Sequence, residues 1–233
     1  MNIKTKNFSD EEISQQFAKF PVWTTQFEIN GKKYGGVDDA LIMDQRLVKL
    51  NEVCPVKGKT VLELGPLEAA HTYTLLQLGA KSVTAVEYRE ENLEKCKIIK
   101  KLLGMRKAKF LQGDVRSFDF SALGKFDIVL CSGVLYHLLD PLALLQKLSK
   151  ITDTLFLWTH IATDTYPPMQ FYREENSLEA GLEQLSFWLK EEELLWVLDL
   201  LGFYNVDILS KGILYGNSAH ILICASKALK IEI

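Results

Sequence analysis

The chain has 233 residues, 48 % hydrophobic and 24 % charged, a composition that builds an ordinary globular core and excludes a disordered or low-complexity protein. Its formal net charge is -3, with no basic block beyond the Lys95–Lys101 helix, so the electrostatic footprint of a nucleic-acid binder is missing and a small-molecule partner is expected. Four cysteines (Cys54, Cys96, Cys131, Cys224) form no CxxC pair, the first ten residues are polar, and no apolar run is long enough for a membrane span; reduced thiols and a cytoplasmic location are expected.

In chain order, a helix is predicted at Ser9–Lys19, an aromatic strand-like piece at Val22–Ile29 and a second helix from Asp38 to Leu50. Residues 1–57 are therefore read as an N-terminal extension packed on the core, and 58–233 as the main domain. From Thr60 onward, short β-branched apolar runs alternate with helices: Thr60–Leu64, Ser82–Tyr88, Ala108–Gln112, Phe126–Cys131 and Thr154–Thr159. That alternation predicts a doubly wound α/β sheet, mostly parallel, with helices on both faces.

The helices carry their own ends. Asp140-Pro141 is an N-cap followed by proline at the first helical position. Arg89-Glu90-Glu91 places acids in a first turn whose helix closes on Lys100, Lys101 and Gly104, with Leu93, Cys96, Ile99 and Leu103 as its apolar stripe. Residues 162–189 hold Pro167-Pro168 and the aromatics Tyr166, Phe171, Tyr172, Phe187 and Trp188 without a clean period, and read as an insertion. A helix at Glu191–Leu201, stopped by Gly202, precedes two runs, Phe203–Leu209 and His220–Ala225, that form a C-terminal antiparallel hairpin.

Chemistry concentrates at strand ends. Val61-Leu62-Glu63-Leu64-Gly65-Pro66-Leu67-Glu68-Ala69 turns a strand directly into a helix. Gly65 lets a ligand approach the backbone, and the helix N-terminus offers unpaired N–H groups. The next two strands end in Glu87 and Asp114, so three successive strands carry an acid at the carboxyl edge where such sheets bind ligands.

These elements, together with Phe126-Asp127-Ile128-Val129-Leu130-Cys131-Ser132-Gly133-Val134-Leu135-Tyr136-His137-Leu138-Leu139-Asp140-Pro141, resemble the class I S-adenosylmethionine (AdoMet) dependent methyltransferases of Rossmann-like fold. The terminal hairpin agrees with that resemblance, since a dinucleotide-binding domain continues with another parallel unit. Within the superfamily, the GVLYHL..P ending is similar to a branch containing small-molecule methyltransferases and the carboxymethyl-transferring tRNA wobble-uridine enzyme. The resemblance implies AdoMet as cofactor. Glu63, Gly65 and Leu67 would line its methionine end, Glu87 and neighbouring Tyr88 its ribose, and Asp114 and Val115 its adenine. Ser132 and Gly133 would flank the sulfonium and methyl group, with Tyr136 and His137 facing the acceptor.

The loop departs from the family's acid-x-Gly-x-Gly-x-Gly, with Leu67 and Ala69 where glycines usually stand. All four histidines (His71, His137, His160, His220) fall near the expected cofactor edge. Because an imidazole suits proton transfer near neutral pH, His137 is the first candidate for general base and His160 the second, with Tyr136 beside them as the third catalytic candidate. No metal-ligand spacing is found. O- or N-methylation of a small molecule is expected, with a tRNA wobble-uridine modifying enzyme or a non-catalytic AdoMet-binding protein as the alternatives. The aromatic segment Tyr166–Trp188 is read equally as a roof over the acceptor pocket or as a packed cap, with a homodimer contact as one place for such a cap, and Trp23 and Phe27 as closing the pocket from the N-terminal side.

Overall fold

The computed structural model describes residues 3–5, 7–39, 41–163, 169–173, 184–213 and 218–227. They fall into two compact units, Met1–Asp114 and Val115–Ile233.

The first unit runs α1 (Asp10–Phe17), β1 (Gln26–Ile29), β2 (Lys32–Gly35), α2 (Gln45–Val53), β3 (Thr60–Leu64), α3 (Ala70–Gln77), β4 (Ser82–Glu87), α4 (Glu90–Leu102) and β5 (Ala108–Gln112). Strand β4 lies between β3 and β5, parallel to both, with Glu63 opposite Ala85 and Glu87 opposite Gln112. The acidic ends of β3 and β4 are thus brought to one edge. Helix α1 starts where expected, at Ser9, whose side chain and that of Glu12 form a reciprocal capping box.

Two expectations shift in this unit. The helix foreseen from Asp38 begins only at Gln45, because Met43 takes a left-handed backbone (φ 55°) and Asp44 caps the helix through the Arg46 N–H. The strand-like piece from Val22 pairs as a regular strand only from Gln26, because the N–H groups of Thr24 and Thr25 are taken by a side chain, that of Glu68.

The N-terminal elements bury Ile13, Phe17, Trp23, Phe27 and Ile29 in one cluster with Tyr73 of α3 and Cys96, Ile99 and Leu102 of α4. Apolar burial of this kind is worth about 25 cal/mol per Å². Phe17 and Trp23 sit with ring centroids 4.6 Å apart, and Trp23 and Phe27 meet edge-on at 6.4 Å.

The second unit contains β6 (Ile128–Ser132), α5 (Pro141–Ser149), β7 (Thr154–Ala162), β8 (Met169–Arg173), β9 (Leu185–Leu189), α6 (Glu191–Leu200), β10 (Asn205–Ile213) and β11 (Ser218–Ser226). Two 3-10 turns, Phe120–Leu123 and Leu135–His137, flank β6. Strands β6 and β7 are parallel, β11 is antiparallel to β7, and β10 is antiparallel to β11. Strand β7 runs three residues beyond the expected Thr159, because β11 pairs with it over its whole length, from Thr154 opposite Ser226 to Ala162 opposite Ser218.

Within the aromatic segment, β8 and β9 pair antiparallel. Tyr166, Pro167 and Pro168 lie outside the described residues. With parallel β3, β4 and β5 in one unit, and parallel β6 and β7 with antiparallel β11 and β10 in the other, the described strands give the expected fold class: α/β, mostly parallel, with helices and a C-terminal antiparallel hairpin. No helix among the described residues is long and apolar enough to cross a membrane.

Candidate functional site

In the first unit, the turn from β3 to α3 is the centre. Gly65 is exposed and left-handed (φ 62°), and its N–H donates to the Val86 carbonyl at 3.0 Å. Leu67 (φ 52°) and Ala69 (φ 65°) are left-handed too. The chain therefore keeps the backbone of a glycine-rich loop at the two positions where glycine is replaced, at a cost of about 1–2 kcal/mol per residue. The Leu67 N–H bonds to Glu87, and the Leu67 carbonyl accepts from the Cys96 thiol at 3.4 Å.

Glu63 is 1 % exposed. Its Oε2 accepts the Thr72 hydroxyl, while Oε1 is buried with no hydrogen-bond partner. Burial pushes its carboxyl up to about 7, with Glu87 adding to the rise and the nearby His71 and the Thr72 bond opposing it. An acceptor kept dry without a donor costs about 1–3 kcal/mol, which marks a place for a donor from a ligand.

Glu87 is raised by burial as well, against the Arg89 N–H that donates to it at 2.9 Å. Tyr88 is 46 % exposed beside it, and Asp114 is half-buried beyond the end of β5. His71 is held on Asp44 at 2.9 Å, and Arg46 grips the same carboxylate. Burial would raise the Asp44 pKa, but these two partners outweigh it and hold the carboxyl far below the usual range.

In the second unit, Ser132 ends β6 opposite Trp158 of β7, and the Gly133 N–H donates to the Trp158 carbonyl at 3.1 Å. Gly133 is left-handed (φ 80°), and the chain then folds into the turn Leu135–His137. Val115, at the start of this unit, is buried. Trp158 and His160 are two residues apart on one strand and so share a face.

The Tyr136 ring stacks on His160 at 3.8 Å and 7°, lies 4.1 Å from His137, and meets Trp158 edge-on at 5.7 Å. Trp188 from β9 closes a further side, 4.8 Å from His160, with its indole N–H donating to the Tyr136 carbonyl at 2.8 Å. Tyr172 of β8 stacks on Trp188 at 3.5 Å. His220 sits directly opposite His160 in the β7–β11 register, and Gly212 on β10 leaves room for its ring: a Cβ there would stand 2.5 Å from it.

Tyr136, His137 and His160 are each half-buried, and the cavity that Tyr136 and His160 line, of about 10 Å³, has room for no more than a water. A wider cleft of about 590 Å³ adjoins the end of β7, lined by Thr163, Lys190, Glu191, Glu192, Glu193 and Lys211 among others. Lys211 is already paired with Glu191 at 2.6 Å.

A methyltransferase-domain family model matches residues 55–198, more than half of the chain. The chain belongs to that methyltransferase family. Its fold is that of the class I AdoMet-dependent enzymes. Among solved structures, it is similar to the N-terminal domain of EvdMO1, solved in the presence of S-adenosylhomocysteine (SAH) and D-fucose, at 28 % identity and TM-score 0.85 over 95 % of this chain and 99 % of that one. Magnesium protoporphyrin IX methyltransferase of Synechocystis PCC 6803, with bound SAH, shares the fold at 19 % identity and TM-score 0.55, over 79 % and 81 % of the two chains. Among curated proteins, the tRNA U34 carboxymethyltransferase of Actinobacillus pleuropneumoniae serotype 3 (strain JL03) is 25 % identical over 174 residues, 70 % of this chain and 51 % of that one. The chain spans about half the length of the curated relatives it matches.

The residues of the first unit fit the cofactor of this family. A buried acceptor without a donor, an exposed glycine and two left-handed residues make a cradle for a group bearing an ammonium, and Glu87 offers a second carboxylate at the neighbouring strand end. Of the candidates read from sequence, the structure brings Glu63, Gly65, Leu67 and Glu87 together in one unit and Ser132, Gly133, Tyr136, His137 and His160 in the other.

Trp23 and Phe27 do not close a pocket: both are buried in the N-terminal core cluster, because their rings complete the apolar contact with Phe17. Sequence reasoning missed Trp158, whose signal was its place two residues before His160. It also passed over Glu68, for which Lys95 on the buried face of α4, beside Asn92 and Cys96, was the available sign.

Proposed function

We propose that the domain binds AdoMet, held in the first unit by Glu63, Gly65, Leu67 and Glu87, and methylates a hydroxyl or amine of a small molecule. A sugar hydroxyl is the acceptor class best supported. The observation that carries the reading is the aromatic enclosure of His160 by Tyr136, Trp158 and Trp188, with His137 adjoining. Tyr136, His137 and His160 are half-buried, so their exposed edges can meet the apolar face of a sugar ring, and imidazoles can take a proton. The D-fucose present with the EvdMO1 domain supports the same class.

AdoMet, when bound, supplies an electrophilic methyl group on sulfur and leaves as SAH. The chain's own task is to hold the acceptor oxygen in line and to accept its proton as the new C–O bond forms. His137 is the proposed base and His160 the second candidate, with Tyr136 stacking on one and adjoining the other. The cytoplasm is the proposed location, in keeping with four cysteines that form no disulfide among the described residues.

The names of the curated relatives favour a second reading, modification of a tRNA wobble uridine. Against it, the described cleft residues with ionisable groups are three carboxylates and two ammonium groups, which form no positive surface for a phosphate backbone. Turnover assays with AdoMet on a panel of deoxyhexoses and on unmodified tRNA separate the two, with methylated sugar expected and labelled tRNA the contrary outcome. His137→Ala and His160→Ala are expected to keep SAH affinity, while at least one loses about 100-fold or more in kcat. Full turnover in both would sink the general-base assignment.

A further inference from the structure

Glu68 stands between the two left-handed residues of the loop, has no part in the family pattern, and is 1 % exposed. Its Oε1 accepts the Thr24 N–H at 3.0 Å and its Oε2 the Thr25 N–H at 2.7 Å. Lys95 of α4, fully buried, places its ammonium 3.4 Å from the same carboxylate and 2.8 Å from Glu91. That ammonium also lies over the rings of Phe20 at 5.6 Å and Trp23 at 5.4 Å. Residues 20–25 are therefore fastened to the loop twice, by a carboxylate gripping their backbone and by a cation under their rings.

A glycine would adopt the conformations of Leu67 and Ala69 unaided, whereas a leucine and an alanine must be held there. Helix α3 gives no help, since its N-cap is Ala69, which makes no side-chain capping bond. The buried carboxylate between the two residues is the one side chain of the loop fixed by three outside partners.

We infer that Glu68 is a positioning residue of the cofactor loop: tied to Thr24, Thr25 and Lys95, it holds Leu67 and Ala69 left-handed and so makes the segment 20–25 part of the cofactor-binding device. The inference rests on the AdoMet reading above. It also accounts for a loop that lacks two of its glycines and still keeps their backbone path.

The test is calorimetric titration of SAH into the full chain, its Glu68→Gln variant, the Leu67→Gly/Ala69→Gly pair, and the triple variant. An amide has one acceptor oxygen where the carboxylate has two, so Glu68→Gln leaves a backbone N–H unpaired and Lys95 with Glu91 alone as counter-charge. It is expected to weaken SAH binding about ten-fold or more, and the triple variant to recover most of that loss, since the glycines remove the need for the anchor. A merely structural role for Glu68 predicts no such recovery. Affinity of Glu68→Gln within about two-fold of wild type, or a triple variant no tighter than Glu68→Gln, overturns the inference. If Glu68→Gln does not fold, Lys95→Met takes its place in the same cycle, with the same expected recovery and the same contrary result. Failure of the folded wild type to bind SAH counts against the AdoMet reading alone. Amide exchange at Leu67 and Ala69 then decides the anchor, faster in Glu68→Gln if it holds the loop and unchanged if it does not.

Discussion

At the scale of single residues, Glu63 carries the clearest pH signature. Its carboxyl is raised from the usual 4.5 to about 7, chiefly by burial, so the folded chain keeps a proton that the unfolded chain releases. The stability tied to that proton is fully present below the unfolded value and is lost as pH rises through the folded one, by up to about 3 kcal/mol. Glu63→Gln is expected to flatten the fall of Tm between about pH 5 and pH 8 and to exceed wild type at the upper end, while weakening SAH binding. Scanning calorimetry across that range checks it: parallel profiles for the two proteins are the contrary result. The acids at strand ends were legible because position on a parallel sheet follows from sequence order. The unsatisfied Oε1 was not, since hydrogen-bond satisfaction depends on what Thr72 and the neighbouring strands bring near.

At the scale of elements, local chemistry set most boundaries. Asp140 caps α5 as its place before Pro141 predicted, accepting the Ala143 N–H at 3.0 Å, and α4 runs from its acidic first turn to Lys100 and Lys101. Asp140→Ala is expected to cost about 1 kcal/mol, read as a lower urea midpoint with unchanged m-value. Boundaries failed to show in sequence where a distant partner set them. The late start of β1 reflects the reach of Glu68 to Thr24 and Thr25, and the length of β7 reflects the length of β11. The β8–β9 pairing had no period to announce it, because Tyr172 and Trp188 stack on each other and both of their strands carry aromatics.

For the whole molecule, the cofactor reading has a direct thermodynamic consequence. A ligand that binds only the folded state adds about 2.7 kcal/mol at a concentration of 100 Kd, which for a chain of this size raises Tm by about 5–10 °C. SAH is expected to do so in a thermal-shift measurement, and D-fucose added with it to raise Tm further if the sugar reading holds. No shift with SAH would leave the methyltransferase fold without its cofactor function.

The fold class, the order of the strands along the chain, the acidic strand ends and the candidate histidines were all determined by the sequence itself. Periodicity, caps and turn residues act over a few positions and survive without knowledge of the rest. Tertiary structure alone decided that Leu67 and Ala69 remain left-handed, that Trp158 and Trp188 join Tyr136 around His160, and that Trp23 belongs to a core. Those outcomes depend on contacts between residues far apart in the chain, such as Glu68 with Thr24 or Trp188 with Tyr136, and no local pattern encodes which of the available partners a buried group will meet.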